Sequence, residues 1–138
     1  MLINKLLLSK SLSAKIYASI KLKDLADSLH ILNQLIKAEK KEKAINLKLE
    51  LLKSIANSKR TEALNYLIGR FNDNDPRIRR LILFLIAKNF GNKKEVKPVI
   101  LNAFNDNSYS VISSAIQNLV TIDSTNSFDI IIKCLEKN

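Results

Sequence analysis

The apolar positions of this chain recur at helical spacing, and the spacing itself repeats. Ile78, Ile82, Leu83 and Ile86 correspond to Val111, Ala115, Ile116 and Leu119 about 33 residues later. Each set falls on one face of a helix. The run Leu47–Ala56 lines up with Ile78–Ala87, and Ala14–Leu22 fits the same pattern more loosely. The pattern predicts four first helices, at roughly 12–24, 42–57, 76–89 and 109–121. A second amphipathic segment follows each of them. These carry Leu29, Leu32 and Ile36; Ala63, Tyr66, Leu67 and Phe71; Val96, Val99, Ile100, Ala103 and Phe104; and Ile130, Ile131, Cys134 and Leu135. Helix, short turn and helix at a fixed period is the pattern of an α-solenoid.

The polar residues between the helices supply the punctuation. Phe71-Asn72-Asp73-Asn74-Asp75 recurs as Phe104-Asn105-Asp106-Asn107-Ser108. Asp75 before Pro76 reads as an N-cap followed by proline at the first helical position, where a missing N–H costs nothing. Ser108 stands where Asp75 does and is expected to cap in the same way, with Ser11 or Ser13 serving the first repeat. Gly91 after Phe90 suits a helix C-terminus that needs a positive φ. Pro98 falls in the first turn of its helix, where proline is tolerated. The stretch Lys37–Lys43 offers no short polar cap and reads as a solvated joint rather than one continuous helix. Leu2-Ile3-Asn4-Lys5-Leu6 matches Leu67-Ile68-Gly69-Arg70-Phe71, so the chain is expected to open on the second helix of an incomplete repeat. The resulting architecture is one all-α, right-handed α-solenoid domain over 1–138: a half-repeat at 1–10, then repeats at about 11–38, 39–72, 73–105 and 106–138.

Composition agrees with helix joined to helix. Among 138 residues there are two glycines, two prolines and no tryptophan, which leaves little material for tight β-turns. A single cysteine, Cys134, excludes an internal disulfide and a multi-cysteine zinc site. A single histidine, His30, excludes a two-histidine metal motif, and neither residue has a nucleophile–base partner placed nearby in sequence. No catalytic residue, metal site or cofactor is therefore expected, nor a small-molecule substrate. The net charge of +10 is compatible with an anionic partner. Lysine supplies most of it, however, and specific phosphate recognition recruits arginine, so compositional bias is the preferred reading. The first 23 residues hold five lysines and no acid, as in a transit peptide, but lack arginine. No apolar run approaches the roughly 18 residues of a membrane span, and a cytoplasmic location is expected.

Asn72-Asp73-Asn74-Asp75-Pro76-Arg77-Ile78-Arg79, followed by apolar residues and a shorter second helix, resembles the HEAT repeat family. The resemblance covers nearly the whole chain. In that family an Asp of the turn and an Arg of the following helix form a stacked polar ladder. It implies structural roles for Asp73, Arg79 and Asp106, with Ile112 interrupting the series and Lys48 and Lys15 as partial matches. The stretch Tyr17–Asn72, above all Leu47–Ala63, is more weakly similar to the helical C-terminal region of M1-type zinc aminopeptidases. That family's HExxH and GxMEN motifs are missing, so no catalytic residue carries over.

Function is expected at a surface. In HEAT proteins the second helices line the concave face, which the resemblance places at Asn33, Lys37, Asn65, Lys97, Asn102 and Lys133. Arg77 and Arg80 flank the ladder position and join the candidate surface, with Lys93, Lys94 and Lys97 as a possible extension. Tyr17, Tyr66, Phe71, Phe84 and Phe104 fall mostly at core-facing spacing, while Tyr109 is expected to be exposed and Cys134 buried. The leading reading is a non-catalytic scaffold that binds a protein or an adjacent domain through its concave helices. The alternatives are a detached aminopeptidase tail and a basic nucleic-acid-binding protein, the latter not favoured; a membrane partner is not expected.

Overall fold

The computed structural model describes residues 5–137. These form eight α-helices: α1 Leu12–Leu22, α2 Leu29–Lys41, α3 Ile45–Ala56, α4 Thr61–Arg70, α5 Pro76–Phe90, α6 Val96–Asn102, α7 Tyr109–Ile122 and α8 Ser127–Glu136. No strand occurs among the described residues. The expected opening half-repeat is described only from Lys5, and Leu2–Asn4 lie outside the described residues. The chain divides into two compact units, Met1–Leu67 and Ile68–Asn138.

In the first unit α1 and α2 both pack on α3. Leu22, Leu32, Leu35, Leu47, Leu51, Leu52 and Ile55 are wholly buried there, at the i, i+3, i+4 spacing that the apolar pattern demands. Ser11 caps α1, its Oγ accepting from the Ala14 N–H at 3.3 Å. One polar pair crosses this core. The Ser54 hydroxyl donates to the Ser19 carbonyl at 2.7 Å, which uses its only proton. The 3.1 Å contact between the two hydroxyls is therefore donated by Ser19.

The joint before α3 is shorter than the expected Lys37–Lys43, because α2 continues through Lys41, and it is ordered by its own side chain. Residues 42–44 leave the helix, and Glu42 Oε1 accepts from the N–H groups of Lys43 (3.0 Å) and Ala44 (3.1 Å). A long acid thus performs the task for which the sequence offered no short cap, and α3 begins at Ile45 rather than near 42.

In the second unit α5 and α6 pack on α7, and α8 lies against α7. Ile78, Ile82, Leu83, Ile86, Val96, Ile100, Val111, Ala115 and Leu119 are buried. Asp75 caps α5 through the Arg77 N–H at 2.8 Å, with Pro76 at the first helical position. Ser108 stands at the start of α7, but its side chain does not cap the helix; its Oγ lies 3.0 Å from Ser110 Oγ. Gly91 has φ −58°, so a positive φ is not what requires glycine there. The requirement is space: a Cβ would sit 2.5 Å from the Ala87 carbonyl oxygen and 3.1 Å from Ile122 Cγ2. Ile116 is only half-buried, because α7 turns Ser114 and Asn118 inward instead, the Asn118 amide donating to the Ser114 carbonyl (2.8 Å) and hydroxyl (3.0 Å).

Candidate functional site

Three acids stand three residues before the helices α3, α5 and α7: Glu42, Asp73 and Asp106. Each accepts from the N–H two residues on, at 3.1, 2.8 and 2.9 Å, so the carboxylate is fixed by its own turn. A cation of a preceding element then meets it. Arg79 Nε and Nη2 donate to the two oxygens of Asp106, each at 2.9 Å, and Lys15 Nζ lies 3.2 Å from Glu42 Oε2. Arg70 Nη2 lies 2.8 Å from Asp73 Oδ2.

Arg79 also donates Nη1 to the carbonyls of Asp73 (2.9 Å) and Asn74 (3.0 Å), and Nη2 to Asn107 Oδ1 (3.1 Å). All its N–H groups are engaged, and its side chain is 12% exposed against 9% for Asp106. The repeated Phe-Asn-Asp-Asn turns meet here around a depression of about 420 Å³. With its guanidinium saturated, Arg79 holds two turns together and has no donor left for a ligand. The hydrogen bond from Arg79, with its charge, holds the Asp106 carboxyl below the ordinary carboxylate range, and Asp106 raises Arg79 in return. Burial pushes the Glu42 carboxyl up, but the Ala44 and Lys43 N–H groups and Lys15 outweigh it, leaving a net lowering.

A second set of ties joins the turns inside the hairpins. Asp27 Oδ1 accepts from the Lys59 N–H at 2.7 Å, Arg60 Nε donates to the Asp27 carbonyl at 3.0 Å, and Asn57 Nδ2 to the Lys23 carbonyl at 3.1 Å. In the second unit Lys97 Nζ lies 2.6 Å from Asp123 Oδ2. Lys97, expected to point outward as part of a binding face, is therefore half-buried and committed to Asp123.

Asn33, Lys37, Asn65, Arg77, Arg80, Asn102 and Lys133 are exposed, and Lys37 lines a cavity of the first unit. Arg77 folds back onto its own cap, Nη2 to Asp75 Oδ2 at 2.8 Å. His30 and Tyr109 are exposed, and Cys134 is half-buried rather than enclosed. Tyr17 and Phe84 are exposed rather than packed, each with a lysine one turn on: Lys21 lies 5.5 Å from the Tyr17 ring centre and Lys88 5.6 Å from that of Phe84. No group of three or more metal-ligating side chains occurs among the described residues. No helix among them is long and apolar enough to cross a membrane.

Two features are left that a structural role does not use up. The first is a cavity of about 540 Å³ in the first unit, within the range of ligand pockets. One stripe of α2, Gln34, Lys37, Ala38 and Lys41, forms one wall, and Leu47 and Leu51 of α3 form the apolar floor. Leu7, Leu8 and Lys43 complete it beside the Lys15–Glu42 pair. The Gln34 Oε1 is shut from solvent with no hydrogen-bond partner, an arrangement costing about 1–3 kcal/mol. The second is the outer face of α8, where Phe128, Ile132 and Leu135, one helical stripe, are 70%, 37% and 60% exposed. Neither was marked by residue type alone: an unsatisfied amide and an uncovered stripe are visible only once the neighbours are placed.

No family model matches the chain, and no curated protein matches it. Solved structures do. An engineered protein matches with a TM-score of 0.56 at 14% identity, over 96% of this chain and 67% of that one. A designed armadillo repeat protein in complex with the peptide (KR)4 matches with a TM-score of 0.56 at 16% identity, over 96% of this chain and 68% of that one. At such identities the likeness is one of fold: this chain is an all-α solenoid of helical repeats.

Proposed function

We propose that this chain is a non-catalytic, HEAT-like repeat scaffold that binds a protein partner, with α8 as a docking face. The observation that carries the proposal is the exposed stripe Phe128, Ile132 and Leu135. Of all the α8 side chains only Ser127 is fully buried; Ile130, Ile131 and Cys134 are half-buried, and the other three apolar residues are left to solvent. Covering the three would return about 3–4 kcal/mol at the usual value per apolar side chain, enough to anchor an interface but not to stabilise an isolated helix face. The Arg79–Asp106 contact supports the HEAT-like assignment, being the kind of turn-to-helix pairing that the sequence resemblance implies. The fold likeness to a designed repeat protein solved with a peptide supports the binding role in general. That peptide is basic, whereas a chain of net charge +10 is suited to partners of the opposite sign.

The test compares the wild type with a Phe128→Glu/Leu135→Glu double variant in cross-linking pull-downs from nuclease-treated extract at about 50 and 300 mM salt. The expected result is a protein partner retained at high salt and lost from the variant, because an apolar contact is insensitive to screening. Recovery that depends on nucleic acid and collapses as salt rises would instead place this chain among the basic nucleic-acid binders.

A further inference from the structure

The cavity of the first unit combines features that neither the polar ties nor the α8 stripe needs. Lys37 and Lys41 sit one turn apart on α2, and together with Lys43 they have no carboxylate partner among the described residues. Lys15 at the same rim is already neutralised by Glu42, so the local excess of positive charge belongs to the three lysines. Beneath them the floor is Leu47 and Leu51, with Leu7 alongside. Gln34 lines this space from the α2 stripe, and its side-chain oxygen is buried without a donor.

Each feature selects for something different. Unpaired ammonium groups favour carboxylates. A leucine floor favours an apolar side chain rather than a bare anion. The Gln34 amide turns about a broad terminal torsion, so its oxygen can swing toward the cavity, where a primary amide matches the N–H and C=O of a peptide unit. A fatty acid would satisfy the lysines and leucines but brings no donor for the amide, and a nucleic-acid backbone would not use the floor. We propose that the groove between α2 and the start of α3 binds an acidic segment of a partner protein. Its carboxylates meet Lys37 and Lys41, an apolar side chain rests on Leu47 and Leu51, and its backbone pairs with the Gln34 amide. The inference extends the scaffold reading to a second surface, stands on different residues, and names the chemistry of what that surface takes.

The experiment is fluorescence anisotropy on the full chain with three labelled peptides: one of alternating leucine and glutamate, one with lysine replacing glutamate, and one with serine replacing leucine. The leucine–glutamate peptide is expected to bind at least tenfold more tightly than either of the others. Lys37→Glu/Lys41→Glu is expected to weaken it by tenfold or more, with the helical circular dichroism unchanged because both lysines are exposed. Gln34→Leu supplies a readout that mere packing would not produce. It removes the buried orphan acceptor, so the melting temperature rises by about 2–4 °C while peptide affinity falls. The proposal is overturned if the serine peptide binds as tightly, which would reduce the effect to charge attraction. It is equally overturned if Gln34→Leu leaves affinity intact, or if myristate or single-stranded DNA binds this groove and the leucine–glutamate peptide does not. Phe128→Glu/Leu135→Glu is expected to leave peptide binding unchanged, so loss of the groove site and loss of the α8 site are read separately.

Discussion

The tie between Arg79 and Asp106 is expected to be worth far more than an ordinary surface ion pair. Exposed pairs contribute about 0.2–1 kcal/mol. Here both side chains are almost enclosed, the contact is bidentate at 2.9 Å on each arm, and the same guanidinium holds the Asp73 and Asn74 carbonyls. Charge-assisted hydrogen bonds contribute about 1.5–3 kcal/mol. Arg79→Met is accordingly expected to cost about 2–3 kcal/mol, since the methionine keeps the stem packed but abandons two carbonyls and a carboxylate. Asp106→Asn should cost about 2 kcal/mol, because the amide can still accept from the Ser108 N–H but leaves the guanidinium without its counter-charge. In a urea titration followed by circular dichroism at 222 nm, with a slope of about 2 kcal/mol/M, each change moves the midpoint down by about 1 M. A double-mutant cycle should return a coupling of about 1–2 kcal/mol. Arg77→Ala, in the solvent-exposed pair with Asp75, is the control and should leave the midpoint where it is. A coupling below about 0.3 kcal/mol would show that enclosure and bidentate geometry add nothing, and that this tie does not hold the two turns together.

Three further expectations follow from the same geometry. Glu42 and Asp106 are held below their ordinary values in the folded chain, so their stabilisation is fully present above the unfolded values near ~4 and is lost as pH falls through the folded ones. Urea midpoints measured from pH 6 downward should fall, and more shallowly for Asp106→Asn; an unchanged acid limb would contradict the assignment. Gly91→Ala should destabilise by about 1–3 kcal/mol through its 2.5 Å clash, whereas Gly69→Ala, inside α4 with nothing near its Cβ, should stabilise by about 0.4–1 kcal/mol, both read as thermal midpoints. Ser54→Ala should cost about 1 kcal/mol in urea, and adding Ser19→Ala should cost less than the sum, because the two hydroxyls share one bond.

Where a residue's role was local, the sequence carried it. Asp75 before Pro76 announces the start of α5, and Ser11 that of α1, because both act on N–H groups within three residues. The twin Phe-Asn-Asp-Asn turns exposed Asp73 and Asp106 in the same way. Glu42 gives no such signal because it does the same job inside a Lys/Glu-rich run, where a carboxylate is indistinguishable from a solvated one without Lys15 placed 3.2 Å away. Lys97 reads differently in sequence and structure for the complementary reason: its partner Asp123 is remote in sequence, so a helical wheel shows only an outward lysine. Tyr17 and Phe84 lie at the margin of their apolar stripes, where a 3.6-residue period cannot tell packed from exposed. The Gln34 orphan has no signature in sequence at all, since it consists of what the neighbours fail to provide.

The cation-to-acid spacing bears on how such a chain is made. Lys15 precedes Glu42 by 27 residues, and Arg79 precedes Asp106 by the same 27. A ribosome therefore delivers each cation well before the carboxylate that will clasp it. Between the two events the α1–α2 and α5–α6 pairs emerge complete in helices but unlatched at one edge. The latch closes only when the opening residues of the following pair leave the exit tunnel. For these two pairs synthesis and docking thereby proceed in the same direction. Copying one whole repeat of about 33 residues would add a latch along with the helices it fastens, so the chain can lengthen without a new joint having to be invented.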